Sequence, residues 1–185
     1  LFLLGLFLTL AGLAFKVAAV PFHFWSPDVY EGAPTLITAF MSTVVKTAAF
    51  AAFWRLIAGL HLPGAVETML VAMTICTLFL GNVVALRQTQ FKRLMAYSSI
   101  AHTGFLLLAM LGGDARTADV LFYYLGTYAL ATVGLFIILT LAKRAAQGDE
   151  HIHIFRGLFR SNPWIAVAAL LMLLSLAGIP LTAGF

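Results

Sequence analysis

The sequence predicts an all-α, polytopic transmembrane helix bundle, and three features of the chain lead to that fold class. Of the 185 residues, 62% are hydrophobic and only 10% are charged, and the mean hydropathy is +1.01. A soluble domain carries about 25% charged residues, so this composition excludes a soluble enzyme, a nucleic-acid-binding protein and a disordered tail. The apolar runs are also long and unbroken, whereas a transmembrane β-barrel would show short alternating strands.

Six hydrophobic segments follow one another along the chain, each near the roughly 20 apolar residues that a membrane-spanning helix needs. The uncharged segments are Thr68–Leu86, Leu94–Leu111, Val120–Ala142 and Trp164–Phe185. The two that carry one lysine each are Leu1–Phe22 and Ala33–Trp54. Because the chain starts with Leu1 and both ends lie inside apolar runs, we expect residues 1–185 to be a single membrane domain and a fragment of a longer protein.

Lysine and arginine are distributed unequally among the five connections between these segments. The second and fourth connections hold one each, Arg55 and Arg116. The first holds none, and the third and fifth hold the others: Arg87, Lys92, Arg93, Lys143, Arg144, Arg156 and Arg160. Since cytoplasmic connections carry an excess of basic residues, we predict that the first, third and fifth are cytoplasmic. We expect the fifth, residues 143–162, to be a solvated surface turn, and Lys92 with Arg93 to anchor a helix end at the membrane interface.

Three titratable side chains lie within the predicted spans: Lys16, Lys46 and His102. From the helical rise per residue, Lys46 lies about 4 Å from the middle of its span, and His102 lies at the centre of its own. A lysine at mid-membrane costs about 2.5–3.5 kcal/mol on insertion scales, and no Asp or Glu occurs in any span. The three residues are therefore candidates for proton transfer, although Lys16 could snorkel and His102 could be an ordinary core imidazole. Three hydroxyl side chains are expected to support them by bonding between helices or holding water: Tyr97, Ser98 and Ser99.

Prolines interrupt the first and last hydrophobic segments. Pro21 lies five residues after Lys16, and Pro180 lies late in the last segment. A proline inside a helix frees the carbonyl of the residue four positions earlier, which for Pro21 is Val17, directly after the lysine. Interrupted helices in corresponding positions of two halves indicate the ion site of a transporter built on repeats, whereas an isolated kink serves only packing.

Three stretches of the sequence resemble motifs of the antiporter-like membrane subunits of respiratory complex I. They are Phe15–Pro34, Lys92–Gly104 and Leu174–Phe185, and they are spread from residue 15 to residue 185. The Trp-x-Pro-Asp-Val-Tyr run at residues 25–30 is most similar to subunit N of the bacterial NADH–quinone oxidoreductase, the counterpart of mitochondrial subunit 2. It is less similar to the sister subunits M and L.

The resemblance implies a fold of roughly fourteen helices with two inverted five-helix repeats, in which the six segments are helices seven to twelve. Residues 1–60 and 65–185 would be parts of the two repeats, with helices broken at Pro21 and Pro180. By the same resemblance, the proton-transferring residues of helices seven, eight and ten fall on Lys16, Lys46 and His102. The glutamate of helix five and the lysine of helix twelve in that family would lie outside this sequence.

The function that the resemblance implies is proton translocation by a membrane subunit of NADH–quinone oxidoreductase, coupled to quinone reduction elsewhere in the complex. We expect other membrane subunits of complex I and the lipid bilayer as partners, and a multi-pass location in the bacterial inner (cytoplasmic) membrane. NAD, FMN, iron–sulfur clusters and quinone would bind other subunits, so no cofactor, metal or redox chemistry is expected in this chain. The alternatives are a cation/proton antiporter subunit of the same superfamily and an inert scaffold subunit.

Overall fold

The computed structural model describes residues 1–60, 62–112, 116–180 and 182–184, and within these ranges the chain is α-helical without a β-strand. This confirms the all-α fold class. Four helices are long and apolar enough to cross a membrane, and the first and last are apolar but shorter. The helices are α1 (Phe2–Lys16), α2 (Trp25–Gly32), α3 (Thr35–Ala58), α4 (Gly64–Ala85), α5 (Phe91–Leu111), α6 (Thr117–Ala145) and α7 (Pro163–Leu176), with a 3₁₀ turn (Ile152–Phe155) and a single helical turn (Leu158–Ser161) between the last two.

Both predicted helix breaks are present. α1 ends at Lys16, five residues before Pro21, and the chain passes through turns before α2 begins at Trp25. α7 ends at Leu176, four residues before Pro180. A proline ring collides with the carbonyl four residues earlier in a helix, so each helix stops about one turn before its proline.

α3 is not a uniform α-helix, a feature that the sequence did not predict. Met41–Val45 form a π-helical turn that ends directly before Lys46. The hydroxyls of Ser42 and Thr43 both donate to the carbonyl of Ala39, at 2.9 and 2.7 Å, and hold the turn to the preceding helix. A π turn is wider than an α turn, so it changes the face of α3 from which Lys46 emerges.

α4 and α5 form the most extensive helix pair of the described bundle, and two glycines make their close approach possible. A Cβ atom at Gly81 would lie 2.6 Å from the backbone nitrogen of Ala101, and one at Gly104 would lie 2.6 Å from Cγ of Leu78. Small residues let two membrane helices approach until their backbones touch. This close contact at Gly81 and Gly104, the glycine seam, fixes α5 against α4. α5 is the most buried of the four long helices.

The first, third and fifth connections meet on one side of the bundle, as expected for alternate connections. Arg93, at the start of α5, donates to Asp28 at 2.8 Å and to Glu31 at 2.7 Å, both in α2. Its neighbour Lys92 donates at 2.8 Å to a backbone carbonyl just after α2 and forms an ion pair of 2.9 Å with Glu150 of the fifth connection. These contacts hold α2, the helix that follows the first break, against α5. The cytoplasmic location of this side stays a prediction.

One expectation for this side of the molecule was wrong. Lys92 is buried, with 3% of its surface exposed, so it is not an interfacial anchor. The fifth connection is exposed along most of residues 143–162, as expected for a surface turn. Its Glu150 side chain is only 16% exposed and also bonds Lys143, and backbone hydrogen bonds of 3.0 and 2.9 Å join the third and fifth connections beside it. These contacts fix one point of an otherwise exposed loop.

The close seam between α4 and α5 can be tested at its tightest glycine. Gly81→Ala is expected to destabilise the protein by about 1–3 kcal/mol, because the added methyl group meets backbone atoms that cannot move aside. Gly126→Ala is the matched control, since a Cβ at Gly126 meets nothing within 4 Å. Thermal unfolding of the purified protein measures both variants. Equal melting temperatures for the two variants would contradict a backbone contact at Gly81.

The ion pairs of Glu150 predict a pH-dependent stability. Burial alone would raise the pKa of Glu150, but hydrogen bonds and positive charges from Lys143 and Lys92 outweigh it and hold the pKa below its ordinary value of 4.5. The stabilisation is therefore complete above the unfolded-state pKa and is lost as the pH falls through the lowered pKa. Glu150→Gln is expected to cost about 3 kcal/mol at neutral pH, because Lys92 stays buried without its charge partner.

Thermal unfolding from about pH 7 to about pH 3 measures this effect, and the difference between wild type and Glu150→Gln should shrink as the wild-type carboxylate is protonated. Glu67→Gln is the control, because Glu67 is exposed and makes no ion pair with any described residue. A difference that stays constant over the whole range would show that Glu150 does not act through its charge.

Candidate functional site

Lys46 is buried near the middle of α3, with 4% of its surface exposed. Its ammonium donates to the backbone carbonyl of Ser99 and, at 2.7 Å, to the hydroxyl of the same residue. The ring of Tyr128 lies nearby, with its centroid 5.0 Å from Nζ of Lys46. Among the described residues, no carboxylate lies within ion-pair distance of this lysine. Since a buried charge needs compensating partners, neutral oxygens and an aromatic face solvate it here.

A cavity of about 180 Å³ adjoins Lys46, and Lys16 lies on its wall. Lys16 is the last residue of α1 and is exposed at the surface of the described chain. The cavity therefore connects a buried amine with an accessible one. About 10–15 Å³ of cavity volume is enough for one water molecule, so several fit. The polar side chains of the wall are Lys16, Ser26, Tyr30, Lys46 and Ser99.

Two threonines of neighbouring helices satisfy the backbone that the first helix break exposes. The carbonyl of Val17, which the sequence predicts to be freed by the proline, accepts a hydrogen bond of 2.8 Å from the hydroxyl of Thr103 in α5. The amide of Val20 donates at 3.0 Å to the hydroxyl of Thr77 in α4. These two bonds hold the broken end of α1, and with it Lys16, against the glycine-packed pair of helices.

His102 lies on α5 about one turn beyond Ser99 and is 7% exposed. Its Nδ1 lies 2.5 Å from the hydroxyl of Tyr124, and its ring centroid lies 4.9 Å from that of Tyr128. A second cavity, of about 10 Å³, separates His102 from Ser175 at the second helix break. That volume is about the space for one water molecule.

Four of the eight predicted site residues lie in one series of groups that are linked by contacts and by the two cavities. Lys16, Lys46 and His102 all belong to it, and so does Ser99 among the supporting hydroxyls. Tyr97 and Ser98 are only partly buried, and their side chains make no hydrogen bond within the described part of the chain, so their role stays a prediction. From the first break to the second, the groups are Lys16, Lys46, Ser99, Tyr128, His102, Tyr124 and Ser175.

The tyrosines of α6 were not among the predicted site residues. Tyr124, Tyr128 and Thr132 recur at a four-residue spacing, which places three hydroxyls on one face of a helix. In the structure the two tyrosines of this face contact Lys46 and His102. The spacing was a usable signal, but it does not separate a functional face from a packed one unless the neighbouring helix is known.

Comparison with known proteins shows the family of this chain. The family described as "NADH:quinone oxidoreductase/Mrp antiporter, TM" matches residues 1–185. The chain belongs to this family. The resemblance to the antiporter-like subunits of complex I, which the sequence motifs indicated, is thereby confirmed. The membership covers every residue of the site described above.

Individual relatives are similar over nearly the whole chain. NADH-quinone oxidoreductase subunit N of Deinococcus radiodurans is 48% identical over 185 residues, which cover 98% of this chain and 37% of that protein. A chain of respiratory complex I from Thermus thermophilus is 42% identical, with a TM-score of 0.79, and the match covers 95% of this chain and 38% of that one. A chain of an archaeal membrane-bound sulfane sulfur reductase is 27% identical, with a TM-score of 0.82, over 91% of this chain and 35% of its own. The chain thus spans under two-fifths of the length of these relatives.

The hydrogen bond that satisfies the broken helix can be tested by removing its donor. Thr103→Val is expected to destabilise the protein by about 1–3 kcal/mol, because the carbonyl of Val17 stays buried without a donor. Thr68→Val is the matched control, since the Thr68 hydroxyl donates to the carbonyl of Gly64 on an exposed face of its own helix. Thermal unfolding compares the two variants, and a loss no greater at Thr103 than at Thr68 would contradict this role.

Proposed function

We propose that this chain is part of a proton-translocating membrane subunit of an NADH–quinone oxidoreductase. Quinone reduction would take place elsewhere in the complex, and its free energy would drive protons through this chain. The observation that carries the proposal is the buried Lys46, held by neutral oxygens and an aromatic ring between two cavities. The similarity to proteins named NADH-quinone oxidoreductase subunit N supports the same activity.

A lysine in this setting can exchange its proton without breaking a salt bridge. The hydroxyl of Ser99 accepts a hydrogen bond from the ammonium, and a hydroxyl can equally donate to a neutral amine. Both states of Lys46 therefore have a partner. Ionisable residues that face a water-filled space inside the membrane mark proton relays, and the cavity that Lys46 shares with Lys16 fits this description.

Passage of a proton along the site needs only N–H and O–H bonds to break and form. Lys16 would exchange protons with water in the larger cavity and pass them to Lys46. His102 would accept the proton on the ring nitrogen that does not contact Tyr124. The smaller cavity beside Ser175 would carry it towards the second helix break. The two breaks, at Pro21 and Pro180, would supply backbone groups for water and local flexibility.

Other membrane subunits of the complex and the lipid bilayer would be the partners of this chain. It would lie in the inner membrane of a bacterium, with the first, third and fifth connections in the cytoplasm. NAD, FMN, iron–sulfur clusters and quinone would bind other subunits, so the contribution of this chain to the enzyme would be proton transfer without a redox step. Residues 1–60 and 65–185 would belong to two inverted repeats.

Two other functions would give Lys46 a different role. A cation/proton antiporter subunit is the second candidate, because the matched family includes Mrp antiporters. The identity of 48% to a subunit N over nearly the whole chain favours the oxidoreductase. In an inert scaffold, Lys46 would support only assembly of the complex. Coupling of proton uptake to NADH oxidation separates the three.

Lys46→Ala in the full-length subunit within the intact complex is expected to reduce NADH–quinone turnover and proton uptake together, by at least about tenfold. The reason is that alanine cannot carry a proton between the two cavities. Lys46→Arg should be similarly impaired, since a guanidinium keeps its charge at all relevant pH values. Val44→Ala is the matched control, at an exposed position on the same helix.

Sealed vesicles permit both measurements, each normalised to the amount of assembled complex. Reduced assembly with unchanged turnover and proton uptake per assembled complex would favour the scaffold. Cation-driven proton exchange that continues without NADH would favour the antiporter. Loss of both activities in Lys46→Ala, with Val44→Ala unaffected, is the outcome expected of a redox-coupled relay.

A further inference from the structure

Tyr128 lies between the two ionisable groups at the centre of the site. It belongs to α6 and is 4% exposed. Its ring centroid is 5.0 Å from Nζ of Lys46 and 4.9 Å from the ring centroid of His102, with an angle of 55° between the two ring planes. One side chain thus contacts both of the groups between which the relay would pass its proton.

Both distances are measured to the ring of Tyr128. The hydroxyl is buried and has no hydrogen-bond partner among the described residues. A cation within about 6 Å of an aromatic centroid is attracted to the electron-rich face of the ring, most strongly where water is excluded. Both oxygens that bind the ammonium of Lys46 come from Ser99. The ring of Tyr128 adds an electron-rich aromatic face beside the same ammonium.

We propose that Tyr128 is a positioning residue whose ring holds the Lys46 ammonium against Ser99 and sets the path from Lys46 to His102, an inference that rests on the proposed function. Without the ring, the lysine side chain would be free to turn towards the cavity beside Lys16. In the transfer, one N–H bond breaks on Lys46, one forms on His102, and one positive charge moves between them. Tyr128 neither gains nor loses a proton.

Substitutions at Tyr128 in the assembled complex test this role. Tyr128→Phe keeps the ring and removes the hydroxyl, whereas Tyr128→Leu removes both. We expect Tyr128→Phe to keep at least about half of the wild-type proton uptake per assembled complex, and Tyr128→Leu to lose about tenfold. Tyr123→Leu is the matched control, because Tyr123 is on the same helix but 64% exposed, and wild-type uptake is expected there.

Two further readouts separate positioning from simple support of the fold. If proton transfer becomes the slow step, turnover of Tyr128→Leu should fall more in D₂O than turnover of the wild type, which lost packing alone does not cause. Phenylalanines with increasing numbers of fluorine atoms at position 128 weaken the attraction of the ring for a cation at nearly constant shape. Proton uptake should then fall stepwise with fluorination. This series also keeps the test valid where the leucine variant does not assemble.

Proton uptake in Tyr128→Leu equal to that in Tyr123→Leu, or a fluorinated series without a trend, would overturn the proposal. So would a loss in Tyr128→Phe as large as in Tyr128→Leu, because the effect would then belong to the hydroxyl. Lys46→Ala, measured in the same experiment, distinguishes failure of the positioning role from failure of the proposed function. Full proton uptake in Lys46→Ala would refute the proposed function itself, whereas an impaired Lys46→Ala with an unimpaired Tyr128→Leu would refute only the positioning role.

Discussion

A lysine ammonium buried at the middle of a membrane helix has to be solvated by the protein, and the rest of this structure depends on that requirement. Lys46 receives two oxygens from Ser99 and one aromatic ring from Tyr128. These partners come from different helices, so α3, α5 and α6 must meet at one level. The π turn of α3 changes the face of the helix from which Lys46 emerges. The close contact with α4 at Gly81 and Gly104 holds α5 in place.

The broken first helix is joined to this centre by polar contacts at both of its halves. The hydroxyl of Thr103 binds the freed carbonyl of Val17 at the end of α1, and Lys92 with Arg93 binds α2. All three donors belong to α5, the helix that also carries His102. A proline break that would otherwise expose backbone in the membrane is therefore satisfied, and the cavity between the lysines keeps a defined wall.

Much of the fold could be predicted because it depends on local chemistry. Long apolar runs predict membrane helices, and the geometry of proline predicts where two of them stop and that Val17 loses its helical partner. The pairings could not be predicted, because they join residues far apart in the sequence. Thr103 beneath Val17, Tyr128 beside Lys46, and the burial of Lys92 at the start of α5 all follow from how the helices pack. A hydropathy profile treats such a lysine only as surface charge.

The proposed relay requires Lys46 to change its protonation state while the complex turns over. Solid-state ¹⁵N NMR of the complex with labelled lysine distinguishes an ammonium from an amine directly, and Lys46→Arg identifies the Nζ signal of Lys46. Both forms of the signal are expected when NADH and quinone are supplied together. An Nζ signal that remains an ammonium throughout turnover would contradict the assignment of Lys46 as the central proton carrier.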